Sequence, residues 1–216
     1  MKALVLILCT LISLGSLCAK TPLLAVDFNA QGKGAASPTM PGFQPFDVSM
    51  TEANGPVAAS FSPADNLYPS QLGVSVTTGK SESDSGPVAG RLCTVDPSMA
   101  NLPLGALYYD AICSLDGNPL IVSITGLKAG KKYTIEFFSF TSTRSGNQTL
   151  TDITSGEGGE FCAIEWVKDF QFSDSTPEEE FSASLTATAD ASGKVIISIS
   201  NKLGSPLLSG FRISEN

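Results

Sequence analysis

The sequence contains no histidine. That absence removes the side chain most often used as a general base. It also removes the serine–histidine and cysteine–histidine nucleophile pairs and every histidine-ligated metal site. Basic residues are scarce as well: 13 Lys and Arg stand against 21 Asp and Glu, for a net charge of -8. Such a balance argues against nucleic acid and anionic membrane surfaces as partners, because both recruit basic patches. No apolar stripe at helical spacing reaches a useful length, and no fixed-period repeat is visible. Past the N-terminus, no segment is long and apolar enough to insert in a membrane.

The one long apolar run opens the chain. Lys2 is followed by the apolar stretch 3–14 and then by Gly15 and Ser16. This is the layout of a secretory signal, so Met1–Ala19 is read as a signal peptide cut after Ala19. Two other readings are weaker. A lipoprotein signal acylated at Cys18 would need a different order of residues than "GSL" before it. A membrane anchor would need a longer run and a basic cluster behind it. Residues 20–216 are expected to form a single domain, secreted or held at the cell surface. Three of the five cysteines remain in it: Cys93, Cys113 and Cys162. In an oxidising compartment one pair is expected to bridge, Cys93 with Cys113, since they flank one loop-rich stretch. The alternative is three buried thiols acting as small apolar side chains.

What the sequence does have is period-two alternation. "LLAVDF" places Leu24, Val26 and Phe28 on one face, and "LIVSIT" places Leu120, Val122 and Ile124 together. "KYTIEFFSF" aligns Tyr133, Ile135 and Phe137 against Thr134, Glu136, Phe138 and Phe140. "CAIEWVKDF", "FSASLTATA" and "KVIISIS" repeat the pattern. Side chains alternate across a strand, so these read as half-buried strands. "GLKAGKK" and "DASGK" between them supply glycine where a turn needs positive φ. Segments 29–72, 79–104 and 143–160 carry little pattern and are read as long loops and short strands. The fold class expected is all-β, a single β-sandwich of jelly-roll type.

Chemistry is harder to place. Asp110, Asp116, Glu136, Glu160 and Glu165 are the candidates for carboxylate-only catalysis, but any chain this acidic offers such a set. The expectation is therefore a protein that is not an enzyme. The acidic loops are either solvated turns or a calcium site, because calcium takes carboxylate and carbonyl oxygens from such loops. For the second reading the ligands are Asp110, Asp116 and Asn118, around the turn "DGNP". Aromatic side chains on loops could stack on sugar rings: Phe43, Phe46, Tyr68, Tyr108 and Tyr109. Trp166 follows the inward face of Ile164 and is read as core.

Several segments in order carry a resemblance: "LLAVDFNA", "GKGAASPTMPGFQPFDVS", "RLCTVDP", "LYYDAI", "PLIVSITGLKAGKKYTIEFFSF" and "SPLLSGFRIS". The chain resembles secreted bacterial domains with a galactose-binding-like jelly roll, of the type common in planctomycetes and related bacteria. Asp27, Phe28, Asn29, Gly42, Phe43, Asp110, Gly126, Leu127, Gly130, Tyr133, Gly210 and Phe211 stand at the matching positions. The resemblance implies a galactose-binding-like sandwich, with carbohydrate bound at loops and a structural calcium ion in many members. The expectation is a secreted, non-catalytic, carbohydrate-binding module assisted by calcium, whose partner is a glycan or another cell-surface component. Its rival is a structural or adhesive cell-surface protein that binds another protein through a patch at Phe138 and Phe140.

Overall fold

A computed structural model describes residues 21–32, 37–51, 55–68, 71–93, 104–156, 159–170, 172–173, 175–176 and 180–216. The expected leader, with Cys18, lies outside the described residues. The elements in chain order are β1 (Leu24–Gln31), β2 (Gln44–Ser49), β3 (Val57–Phe61), β4 (Leu72–Thr78) and β5 (Val88–Leu92). β6 (Asp110–Ser114), β7 (Leu120–Thr125), β8 (Lys132–Phe138), β9 (Gly146–Asp152) and β10 (Phe161–Trp166) follow. β11 (Ser182–Thr188), β12 (Val195–Asn201), β13 (Leu207–Leu208) and β14 (Gly210–Glu215) complete the set.

The strands form an all-β sandwich. A five-stranded sheet in the order β11-β8-β14-β1-β2 faces a six-stranded sheet in the order β10-β9-β12-β7-β4-β3. The alternation read from the sequence fills the space between them. Val26, Phe28, Tyr133, Ile135, Phe137 and Phe211 point inward from the first sheet. Leu72, Val76, Val122, Ile124, Ile197 and Ile199 meet them from the second. Each is almost fully withdrawn from water, which for a large apolar side chain is worth about 1.5–3 kcal/mol.

Two alternating runs joined by a glycine-bearing turn predict a hairpin over "LIVSITGLKAGKKYTIEFF", but the two strands do not pair with each other. β7 pairs with β4 and β12 in the six-stranded sheet, whereas β8 pairs with β11 and β14 in the five-stranded one. The connector arches from one sheet to the other. The same holds for β11 and β12. Both arches turn on glycines at positive φ, Gly126 (85°), Gly130 (71°) and Gly193 (76°). They lie side by side, since Leu127 N–H donates to Gly193 O at 3.0 Å and Gly130 N–H to Ala189 O at 2.9 Å.

A third, smaller sheet, β13-β6-β5, covers part of the outer face of the five-stranded sheet. β1 is buried on both sides as a result. Its Asp27 and Asn29 point away from the main core into this second interface. Gly90 on β5 makes the close approach possible, because a Cβ there would stand 2.5 Å from Val48 O and 2.9 Å from Ala30 Cα. Beside this layer lies an aromatic cluster. Tyr108, Phe138, Phe140 and Phe181 are buried in it and Phe172 packs against Phe140 at 4.8 Å between centroids. Phe138 and Phe140 are therefore interior, and the exposed patch expected for an adhesive protein does not form there.

Candidate functional site

The outer face of the six-stranded sheet is open to solvent along β9, β10 and β12. Inward positions of β9, β10 and β12 carry the core, so the alternating positions turn to solvent. Cross-strand registry places them in rows. Ala163, Thr149 and Ser200 form one open row and Phe161, Thr151 and Ser198 the next, which continues into Ile121 and Thr77, both buried. Phe161 is 71% exposed on the edge strand. The face is thus a field of hydroxyls with an aromatic ring at its border.

At one end of this face lies a cleft of about 360 Å³ walled by Trp166, Phe170 and Phe181. Glu165, Glu180 and Asn147 supply its polar groups, and Val167 and Leu203 form an exposed apolar rim. Trp166 keeps its indole in place by donating Nε1–H to Arg144 O at 3.0 Å. Its ring lies directly over Gly146, where a Cβ would stand 2.0 Å from the ring. Asn147 donates its side-chain amide to Glu165 Oε1, which orients both groups at the mouth. At the other end of the face a second cleft, of about 500 Å³, opens between Lys80–Ser83 and Ile153, Gly156 and Ile196. Glu82 holds that loop down. It accepts from Lys194 Nζ at 2.7 Å and from Ser123 Oγ at 3.3 Å.

The aromatic side chains read from the sequence as ligand platforms are placed differently. Phe46 packs between Phe28 and Phe61 in the core, its ring tilted to both, with centroids at 5.2 and 5.8 Å. Tyr108 is fully buried in the aromatic cluster. Neither presents a ring face to solvent. Tyr68 is also buried, and its hydroxyl meets Tyr133 Oη at 2.9 Å. Phe43 and Tyr109 are half-buried, Phe43 lying edge-on to Phe138 at 5.9 Å. Trp166 is core, as its alternation indicates, yet one side of it lines a cleft. Phe181 belongs to the alternation of "FSASLTATA" and Phe170 ends "CAIEWVKDF", so the pattern marks them as strand residues and says nothing of the cleft they wall with Trp166.

The proposed calcium ligands separate into two places. Asp116 lies beyond the C-terminal end of β6 and is saturated by short-range donors. It accepts from Ser114 Oγ at 2.7 Å, Asn118 Nδ2 at 2.9 Å, Asn118 N at 3.0 Å and Thr78 Oγ1 at 3.1 Å. Its slight burial would raise its pKa, but these donors outweigh that and pull it down to about 2. Asn118 thus closes a turn on Asp116. Asp110 stands at the opposite end of β6, and from there to Ser114 the strand alone runs roughly 13 Å at ~3.3 Å per residue.

Asp110 instead joins Asp27 and Asn29 at the buried side of β1. Its Oδ2 accepts from Ala30 N at 2.6 Å and from Ser37 Oγ. Asp27 Oδ2 accepts from Met40 N at 2.7 Å, and Asn29 Nδ2 donates to Thr39 Oγ1 at 2.8 Å. One oxygen on each residue, Asp27 Oδ1, Asn29 Oδ1 and Asp110 Oδ1, is buried with no hydrogen-bond partner among the described residues. Burial pushes Asp27 up to about 8, against the Met40 hydrogen bond and with added repulsion from Asp110. Burial pushes Asp110 up to about 6, against its Ser37 and Ala30 donors. Three orphaned oxygens, two of them from carboxylates, are a donor set suited to a hard cation.

The expected disulfide does not form: Cys93 and Cys113 are free and buried. Registry gives the reason. Cys113 lies opposite Ala89, while Cys93 N–H bonds to Tyr109 O, four ladder positions further on. That is roughly 13 Å along the strand at ~3.3 Å per residue, beyond the ~7 Å between Cα atoms that a disulfide can span. Burial raises the pKa of both thiols.

No protein-family model matches this chain, and a search of curated proteins finds no match. Among solved structures, a family 35 carbohydrate binding module from Clostridium thermocellum matches over 74% of this chain and 99% of its own. The identity is 8% and the TM-score 0.33. CBM35 from Cellvibrio japonicus Abf62 matches over 45% of this chain and 65% of its own, at 16% identity and a TM-score of 0.28. TmCBM61, solved in complex with beta-1,4-galactotriose, matches over 74% and 88%, at 12% identity and a TM-score of 0.28.

Proposed function

We propose that this protein is an exported, non-catalytic module that binds carbohydrate through the outer face of its six-stranded sheet. The observation that carries the reading is the cleft walled by Trp166, Phe170 and Phe181. Two carboxylates and an amide border it, and of these Glu165 and Asn147 sit on the outer face of the sheet, on the same side as the Thr and Ser hydroxyls. Sugars present apolar C–H faces to aromatic rings and hydroxyls to carboxylates and amides, so this mixture of groups suits them. Export is proposed from the Met1–Ala19 stretch.

The galactose-binding-like resemblance implies calcium. Asp27, Asn29 and Asp110 would hold it, not Asp116 and Asn118. There the ion would supply positive charge to two buried carboxylates and tie β1 to β6, a structural service remote from the sugar face. The test is retention of the chain from Lys20 on a panel of immobilised polysaccharides, with calcium and with chelator. Retention by at least one neutral polysaccharide is expected, weakened by Glu165→Ala. A panel that retains nothing in either condition sinks the reading.

A further inference from the structure

The two clefts stand at opposite ends of one strand pair. Lys202 N–H donates to Asn147 O beside the Trp166 cleft, and Ile153 N–H donates to Ile196 O beside the cleft under Glu82. Between Asn147 and Ile153, β9 runs six residues, roughly 20 Å at ~3.3 Å each. Its outward side chains, Asn147, Thr149 and Thr151, are flanked by Ser198 and Ser200 on β12 and by Phe161 on β10. All are at least partly open to solvent. We propose that the clefts are the two ends of a single track, and that its occupant is a neutral, extended, unbranched glycan lying along β9. The proposal rests on the carbohydrate reading above and adds the class of chain and the direction in which it runs.

Three features favour this occupant. The run between the clefts is several sugar rings long, so a terminal monosaccharide would leave most of it bare. The face is a pleated sheet with polar and apolar side chains mixed, which matches a ribbon that shows hydroxyls at its edges and C–H groups on its flat sides. The charged groups bordering the near cleft are acids, Glu165 and Glu180, whereas at the far end Glu82 is matched by Lys194 and, among the described residues, Lys80 is the one cation on the lining. A polyuronate would set its carboxylates against Glu165 and Glu180, so repulsion selects against it.

The experiment is titration calorimetry with a length series of oligosaccharides cut from a neutral polysaccharide that retains the protein. Leu203→Ser at one end and Ile196→Thr at the other are compared with the parent. Affinity should climb on the order of tenfold from disaccharide to hexasaccharide, with one ligand per protein. Each substitution should weaken the hexasaccharide several-fold while leaving the melting temperature in place. Affinity that stays flat with length, two disaccharides bound per protein, or tighter binding of a polyuronate would each overturn the track and leave the carbohydrate reading standing. If no neutral polysaccharide is retained at all, the carbohydrate reading falls and the track falls with it.

Discussion

At the scale of single residues, the buried pair Asp27 and Asp110 makes the sharpest demand. An unfolded aspartate ionises near 3.8, whereas burial holds folded Asp27 protonated up to about 8. Between those values the unfolded chain releases a proton that the folded chain keeps. Stability must then fall as pH rises through that window and level off above it. Melts in chelator from acid to mildly alkaline pH should show this slope, and Asp27→Asn should flatten it. Calcium added back should cancel the loss at neutral pH, because a cation bound only by the folded state replaces the proton as the carboxylates' partner. A pH-independent melt in chelator would count against both the buried pair and its cation. The cysteines give a second residue-scale expectation. Denaturation without reductant followed by alkylation should modify Cys93, Cys113 and Cys162 alike, read as three added masses. Two fewer would mean a bridge.

At the scale of elements, alternation was legible and partnership was not. Tyr133, Ile135 and Phe137 face the core as their spacing says, and so do Val195, Ile197 and Ile199. Period two tells which face of a strand is dry, but it is silent on which sheet receives the strand. A glycine-bearing connector serves a hairpin or an arch equally well, and here Gly126, Gly130 and Gly193 serve arches. β1 misled in another way: buried on both sides, it hides Asp27 and Asn29 in a second interface that no half-wet strand would have. β9 went unseen because Gly146, Asn147 and Gln148 are weak strand formers held by their neighbours β10 and β12. Gly146 repays a direct test. A methyl group there meets the Trp166 ring, so Gly146→Ala should destabilise the fold by about 1–3 kcal/mol through overpacking. The same change displaces the indole wall of the near cleft, so a stable Gly146→Ala protein with unaltered tryptophan fluorescence would contradict the packing described.

At the scale of the whole molecule, charge and shape can be played against each other. The chain is net negative by eight charges, and the acids Glu165 and Glu180 border the near cleft. A neutral partner feels none of that field. Its binding should hold steady from ~0.1 M to ~1 M salt, over which the screening length falls from ~10 Å to ~3 Å. An anionic partner would bind better as salt rises, since screening relieves repulsion, and a cationic one would bind worse. Retention measured across that salt range therefore sorts partners by charge before any is identified. A strong loss with salt would mean that the acidic border, not the hydroxyl-lined face, carries the affinity, and the search would turn to basic partners docking at Glu165 and Glu180.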